Sequence, residues 1–336
     1  MDLLLNPNTN ATPETESGTK PAFNTEFADD VKAGFAGSPK TLSSKYFYDG
    51  AGSKLFQQIM ELPEYYPTRT EFSILKKQKA EIINFFNPSD FFHLVELGSG
   101  DGLKTKILLR QLLQAKARFE YIPVDISGDA INQLQSALSS ELPDLKTVGF
   151  TGDYFKALHW LKRNKPGRKV VLFLGSNIGN FEDNGDLKFL QEIRKYLSPQ
   201  DKILVGFDLQ KDPRVIRQAY DDASGVTAAF NLNLLKRMNR ELGANFEPEQ
   251  FEHFTDYDPI AGVVKSYLVS KRNQTVTFSY LNHTVSFKAW EPIHTENSHK
   301  YSVDMIKELG RKSGFETEQL FTDEQHYFAD VLFRVV

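Results

Sequence analysis

The sequence contains no cysteine, which excludes disulfides, thiolate catalysis and Cys-ligated zinc in one observation. Its seven histidines are scattered, with neither a His-Glu-x-x-His motif nor another close ligand cluster, so no metal is expected. No apolar run approaches the roughly 20 residues of a membrane span, and the N-terminus lacks a charged region followed by an apolar one. A net charge of −4 gives no reason to expect nucleic acid, whose binders concentrate basic surface. A soluble, cytoplasmic, monomeric protein acting on a small molecule, with no membrane or nucleic-acid partner, is the expectation. The 336 residues, 40% of them apolar, suffice for one large or two medium domains with substantial cores.

What the chain does have is a glycine turn in a particular setting. Residues 94–104, Leu-Val-Glu-Leu-Gly-Ser-Gly-Asp-Gly-Leu-Lys, read as a buried strand, an acidic residue, a three-glycine turn and the start of a helix. Gly98, Gly100 and Gly102 lack a Cβ, so the backbone can turn sharply and approach a ligand closely, next to the free N–H groups of a helix start. A dinucleotide fingerprint spaces its glycines G-x-G-x-x-G and holds a pyrophosphate. Here Glu96 precedes Gly98-x-Gly100-x-Gly102, and a carboxylate in that place repels a pyrophosphate but suits the ammonium and sulfonium of S-adenosylmethionine (SAM). Glu96, Gly98 and Gly100 are therefore candidate cofactor residues.

Later strand ends repeat the pattern. Residues 120–125 form a short apolar strand ending at Asp125, about 25 residues past the turn, where a carboxylate can accept both ribose hydroxyls. Residues 147–153 end at Asp153, placed to accept the adenine amino group, with a helix N-cap as the alternative reading. Residues 169–180 read as a fourth strand carrying Asn177 and Asn180 at its end, and residues 202–207 as a fifth, ending before Asp208. Ligands of open parallel sheets bind beyond such ends. A helix over 303–312 and two strands, 316–320 and 327–335, finish the chain. Five βα units and an antiparallel last strand give an α/β fold, the Rossmann-like sheet of a SAM-dependent methyltransferase. Residues 1–21, rich in Asn, Thr, Pro, Glu and Ser, read as disordered. The aromatic stretch 22–69 and the long departure at 211–300 read as a second, substrate-binding domain, and 70–210 with 301–336 as the SAM-binding domain.

Three segments outside the sheet are dense in Tyr, Asn and small residues: Tyr46–Ser53 with Leu62–Glu71, Ala219–Asn231, and His294–Tyr301. In these the sequence resembles the L-histidine Nα-methyltransferases of ergothioneine biosynthesis, from about Val31 to the C-terminus. The resemblance implies that Asn180 and Tyr220 hold the substrate carboxylate, that Tyr65, Glu296 and Ser298 bond the imidazole, and that Tyr48 sits beside the amino group. It also implies cofactor roles for Gly98, Lys104, Asp125 and Asp153. Glu296 and Ser298 are two apart, so in an extended segment both face one side, where they can engage a ring with one donor and one acceptor nitrogen. One departure stands out: Ser266 occupies the place where close relatives put a Met lining the imidazole pocket.

Methyl transfer from a sulfonium is an in-line displacement by a neutral amine, so alignment is the main task. Three rounds on one nitrogen end in a quaternary ammonium, which the rings of Tyr48 and Phe47 are expected to favour. The rivals are a methyltransferase for another amino acid such as tryptophan, a SAM-binding module without turnover, and a dehydrogenase. An indole offers only a donor, which Glu296 and Ser298 together do not match. A binding measurement paired with a methylation assay separates the second rival, and the glycine spacing disfavours the third.

Overall fold

The computed structural model describes residues 24–182 and 184–336; the expected disordered segment 1–21 lies outside them. A two-residue strand, β1 (Lys40–Thr41), is followed by β2 (Phe92–Leu97), β3 (Phe119–Asp125), β4 (Phe150–Thr151), β5 (Lys169–Phe173) and β6 (Lys202–Asp208). The region from 251 to 299 supplies β7 (Phe251–Asp258), β8 (Val263–Ser270), β9 (Gln274–Phe278), β10 (His283–Phe287) and β11 (Pro292–His299). The chain ends in β12 (Phe315–Thr322) and β13 (Phe328–Val335).

β2, β3, β5 and β6 are almost wholly buried and mainly apolar because both faces of their sheet are covered. Within β2, Leu94 joins one hydrophobic core while Val95 and Leu97 join the other, and β5 divides Val170 and Leu172 from Val171 and Phe173 in the same way. Helices with apolar residues at helical spacing close each face, as Leu108, Leu109 and Leu112 of the helix Thr105–Gln114 do. The sheet order is β12-β13-β6-β5-β2-β3-β4, parallel except for β13, which runs antiparallel between β6 and β12. From β2 the chain winds first toward β4, then returns to add β5 and β6 on the other side. The switch point lies between β2 and β5, where loops leave in opposite directions and open a crevice.

Two expected strands are shorter than their apolar patterns suggested. Of residues 147–153 only Phe150 and Thr151 form β4, because Asp153 is already capping the next helix. β5 stops at Phe173, and Asn177–Asn180 form a 3₁₀ turn rather than the strand's end. The stretch 25–62 and residues 226–293 share a third core, in which Phe35, Phe246, Phe251, Phe278 and Phe287 pack ring against ring. Its four-stranded sheet, β1-β11-β8-β7, carries β11 past the carboxyl ends of β5 and β6. No helix among the described residues is long and apolar enough to cross a membrane.

Candidate active site

The glycine turn folds as its composition demands. Gly98, Gly100 and Gly102 have φ of +76°, +50° and +66°, values that side chains rarely adopt. Space beside Gly100 is open, whereas a Cβ on Gly98 would lie 2.9 Å from the Tyr154 hydroxyl. Asp125, at the end of the neighbouring strand, accepts from the Gly100 N–H (3.1 Å) and the Ser127 N–H (2.9 Å). A carboxylate offers about four acceptor positions, so two remain for a ligand diol. Ser99, inside the turn, has a buried hydroxyl with no hydrogen-bond partner. Open backbone at Gly100, a spare carboxylate edge and an orphaned hydroxyl fit the ribose and amino-acid ends of SAM.

Two expected cofactor residues have further duties. Asp153 caps the helix Tyr154–Asn164, its Oδ1 accepting from Phe155 N (3.0 Å) and Lys156 N (2.9 Å), so the cap reading holds and the carboxylate is oriented by it. Lys104 pairs with the buried Glu71, which also accepts from Gly175 N at 2.7 Å; burial lowers the affinity of Lys104 for its proton, but Glu71 outweighs this and the net direction is upward. Glu96 has partners of its own within the protein. Its carboxylate accepts from Thr105 Oγ1 and Tyr121 Oη in the layer beneath the helix Thr105–Gln114, and the residue is only 5% exposed. Burial pushes it up to about 7, against those two hydrogen bonds. These two bonds tie the end of β2 to β3 and to the helix Thr105–Gln114 beneath the turn.

Beyond β5 and β6 lies a cavity lined by Tyr48, Tyr65, Asn180, Tyr220, Glu296 and Ser298 together. These six come from five separate stretches of chain. Gly179 makes the junction possible, since a Cβ there would lie 2.8 Å from the His299 carbonyl oxygen; without one, the 3₁₀ turn presses on β11 and Asn180 shares the cavity with Ser298. Asn177 lines the cavity too, and its Nδ2 stands 3.9 Å from a Cβ position on Gly98. The cavity and the glycine turn therefore meet at Asn177.

The cavity's chemistry is that of neutral hydroxyls around two acids, Glu296 and Asp208. Tyr48, Tyr65 and Tyr220 are all pushed well above their ordinary value, by burial first, so each remains protonated. Burial raises Glu296 to about 7, opposed by Lys300. Tyr220 Oη and Ser298 Oγ are 2.8 Å apart. Tyr48, 38% exposed, stacks edge-on against Phe56 (5.4 Å) and Phe230 (5.7 Å), and both of those rings line the cavity. Phe47, expected to share that work, is instead fully buried against Phe230 at 4.7 Å. Ser266 does not line the cavity either: it is the strand partner of Glu296, 1% exposed, and contacts Thr255 Oγ1 at 3.4 Å.

A family model described as histidine-specific methyltransferase, SAM-dependent, matches residues 27–335. The chain belongs to that family. It is 39% identical to a histidine N-alpha-methyltransferase of Mycolicibacterium smegmatis, over 88% of this chain and 90% of that protein. It is 36% identical to one from Mycobacterium tuberculosis, over 88% and 90%. It is 31% identical to ergothioneine biosynthesis protein 1 of Neurospora crassa, over 86% of this chain and 32% of that much longer protein. For a SAM-dependent methyltransferase the sheet and glycine turn are the cofactor half of the machine. Residues that the sequence did not single out complete the site: Phe56, Thr227, Phe230 and Asn231 on the cavity wall, Asp208 at the end of β6, and Tyr154 beside Asp125. Thr227 Oγ1 is buried at the cavity wall beside Asp222, whose carboxylate it helps to hold ionised. Asp208 had a readable signal as the fifth polar strand end, and Thr227, Phe230 and Asn231 lie in the Ala219–Asn231 segment, whereas nothing in the sequence marked Phe56 or Tyr154.

Proposed function

We propose that this protein transfers methyl groups from SAM to the α-nitrogen of L-histidine, three times in succession, giving hercynine in ergothioneine biosynthesis. The observation that carries the reading is the convergence of Tyr48, Tyr65, Asn180, Tyr220, Glu296 and Ser298 on one cavity that touches the glycine turn through Asn177. Residues 70–210 and 301–336 are read as the SAM-binding domain and 22–69 with 211–300 as the substrate-binding domain, working in the cytoplasm as a monomer.

The glycine turn, Asp125, Asp153 and Lys104 hold the cofactor. Bound SAM supplies an electrophilic methyl group. Asn180 and Tyr220 fix the substrate carboxylate, while Tyr65, Glu296 and Ser298 engage the imidazole and so aim the α-nitrogen. Tyr48 borders that nitrogen. Its ring, with those of Phe56 and Phe230, favours the growing cation by about 0.5–2 kcal/mol. The amine loses its proton to water, since the nearby tyrosines stay neutral and none is a base.

The test is mass spectrometry of the products formed from SAM with histidine or with tryptophan. Three methyl groups on the α-nitrogen of histidine are expected, with tryptophan left largely unmodified. Methylation of tryptophan in preference would establish the first rival, and SAM binding without any transfer the second.

A further inference from the structure

Lys300 follows β11 and has no solvent exposure at all. Glu296, Ser298 and Lys300 alternate along an extended strand and so project to one side. The lysine ammonium donates to Tyr220 Oη (2.8 Å) and Ser298 Oγ (2.7 Å) and pairs with Asp208 at 3.0 Å. Asp208 is itself held by the Tyr66 hydroxyl (2.8 Å) and by Lys211. Two hydroxyls assigned to the substrate thus stand on one buried cation.

We propose that Lys300 is a positioning residue for side-chain recognition: anchored on Asp208, its ammonium fixes the hydroxyls of Tyr220 and Ser298 from beneath the cavity and sets its positive charge on the same side of the chain as Glu296. The proposal rests on the histidine reading for the identity of the ligand, not for the arrangement itself.

Proton counting gives the arrangement its meaning. A hydroxyl has one hydrogen and two acceptor positions. Lys300 occupies one acceptor position on each oxygen, and the bond between the two hydroxyls uses one hydrogen and one more acceptor position. Whichever hydroxyl donates to the other, the pair shows the cavity one donor and one acceptor. If Ser298 donates to Tyr220, the tyrosine hydrogen is free for a carboxylate and the serine oxygen for a ring N–H. Removing Lys300 frees both hydroxyls to rotate and erases that division.

The titratable groups facing Glu296 are Tyr48 and Tyr65 from the N-terminal segment, Tyr220 from the helix Pro213–Tyr220, and Lys300. The helix Val226–Leu242 and β8 bring only neutral groups there, Thr227, Asn231 and Ser266. Asp208, with Lys211 on it, stands behind Lys300. Lys300 is the cation that opposes the burial of Glu296.

The experiment follows Glu296 directly, by carboxyl ¹³C NMR titration of the full chain, with the resonance identified by its loss in Glu296→Gln. Lys300→Met is expected to move the Glu296 midpoint upward by about one pH unit or more, a tenfold change in its ionisation. Histidine affinity, measured by calorimetry with S-adenosylhomocysteine present, should fall about tenfold at pH 7 and recover in part at alkaline pH, where Glu296 is ionised without Lys300 but the two hydroxyls stay unfixed. Lys300→Arg should restore the midpoint. An unchanged Glu296 midpoint in a folded Lys300→Met protein overturns the proposal, as does an affinity loss equal at every pH. If that variant does not fold, the wild-type ¹⁵Nζ spectrum decides: a charged Lys300 at pH 7 supports the proposal and a neutral amine refutes it. A moved midpoint without histidine binding would refute the substrate reading alone.

Discussion

Asp125 and Glu96 are two carboxylates at the ends of adjacent strands, and their surroundings give them opposite work. Each accepts one hydrogen bond per oxygen, but Asp125 takes its two from backbone N–H groups of the turns after β2 and β3 and stays partly exposed, whereas Glu96 takes its two from Thr105 and Tyr121 and is buried. Asp125→Ala is expected to weaken binding of SAM or S-adenosylhomocysteine by about 1–3 kcal/mol while the protein stays folded. Glu96→Gln, which retains an acceptor for one hydroxyl, should leave that affinity close to wild type, and Glu96→Ala should instead lower the melting temperature by stranding two buried hydroxyls. Calorimetry and thermal melts of the three variants check both statements. A tenfold loss in folded Glu96→Gln would return Glu96 to the cofactor. Asp125 was legible in the sequence because position along the chain decides which residue ends a strand. The duty of Glu96 was not, because the face on which a side chain projects, and the partners it finds there, depend on where Thr105 and Tyr121 come to lie.

Among the elements, the helix Val226–Leu242 matters most to the cavity, since Thr227, Phe230 and Asn231 all ride on it. Its first turn has no acidic residue and its N-cap is Gly225. Asp222 does the capping from outside, accepting from Val226 N (2.9 Å), Thr227 N (2.8 Å) and Ser224 Oγ (2.6 Å). Burial would raise its proton affinity, yet those hydrogen bonds win and hold it down at about 2 from 3.8. A carboxylate depressed on folding stabilises fully above its unfolded value and loses that contribution as pH falls through the folded one. Asp222→Ala should therefore cost about 1–2 kcal/mol near neutrality and raise the KM for histidine by loosening the cavity wall, with its stability converging on wild type as pH approaches 2. Equal destabilisation at pH 2 and pH 7 would count against the cap. At this scale β2, β3, β5, β6 and the helix Val303–Lys312 were readable, because their period and end signals are local. The 3₁₀ turn Asn177–Asn180 and the shortening of β4 were not, since contact with β11 and the cap at Asp153 decide them.

Across the whole molecule, two sheets meet so that an acid on β11 lines a cavity that reaches the glycine turn after β2 through Asn177. Two titrations then act on one reaction. The substrate amine must be neutral to attack, and the ring is best held when Glu296, raised to about 7, has lost its proton. Both make kcat/KM rise with pH, first through about 7 and then toward the amine's own value, which for α-amino groups lies near or above about 8. Glu296→Gln should abolish the lower limb and keep the upper one; a profile with both limbs intact would detach Glu296 from recognition. The six cavity-lining residues Tyr48, Tyr65, Asn180, Tyr220, Glu296 and Ser298 were legible only through their segments' resemblance to a family, and their meeting in one cavity is long-range information. Lys300 and the Phe56 and Phe230 rings were hidden for the same reason, as a buried lysine and a surface lysine look alike in sequence.

The central claim is that Glu296 and Ser298 read the imidazole ring. A site that hydrogen-bonds its substrate leaves its own polar groups unpaired against a ligand that lacks the partners, so the claim is carried by a ratio rather than a rate. The measurement is kcat/KM for histidine over kcat/KM for tryptophan, in wild type and in Glu296→Ala. The account predicts that the variant loses about tenfold or more on histidine while the released space favours the indole, so that the ratio falls steeply. A ratio unmoved by Glu296→Ala, with the enzyme folded and binding S-adenosylhomocysteine normally, would contradict it.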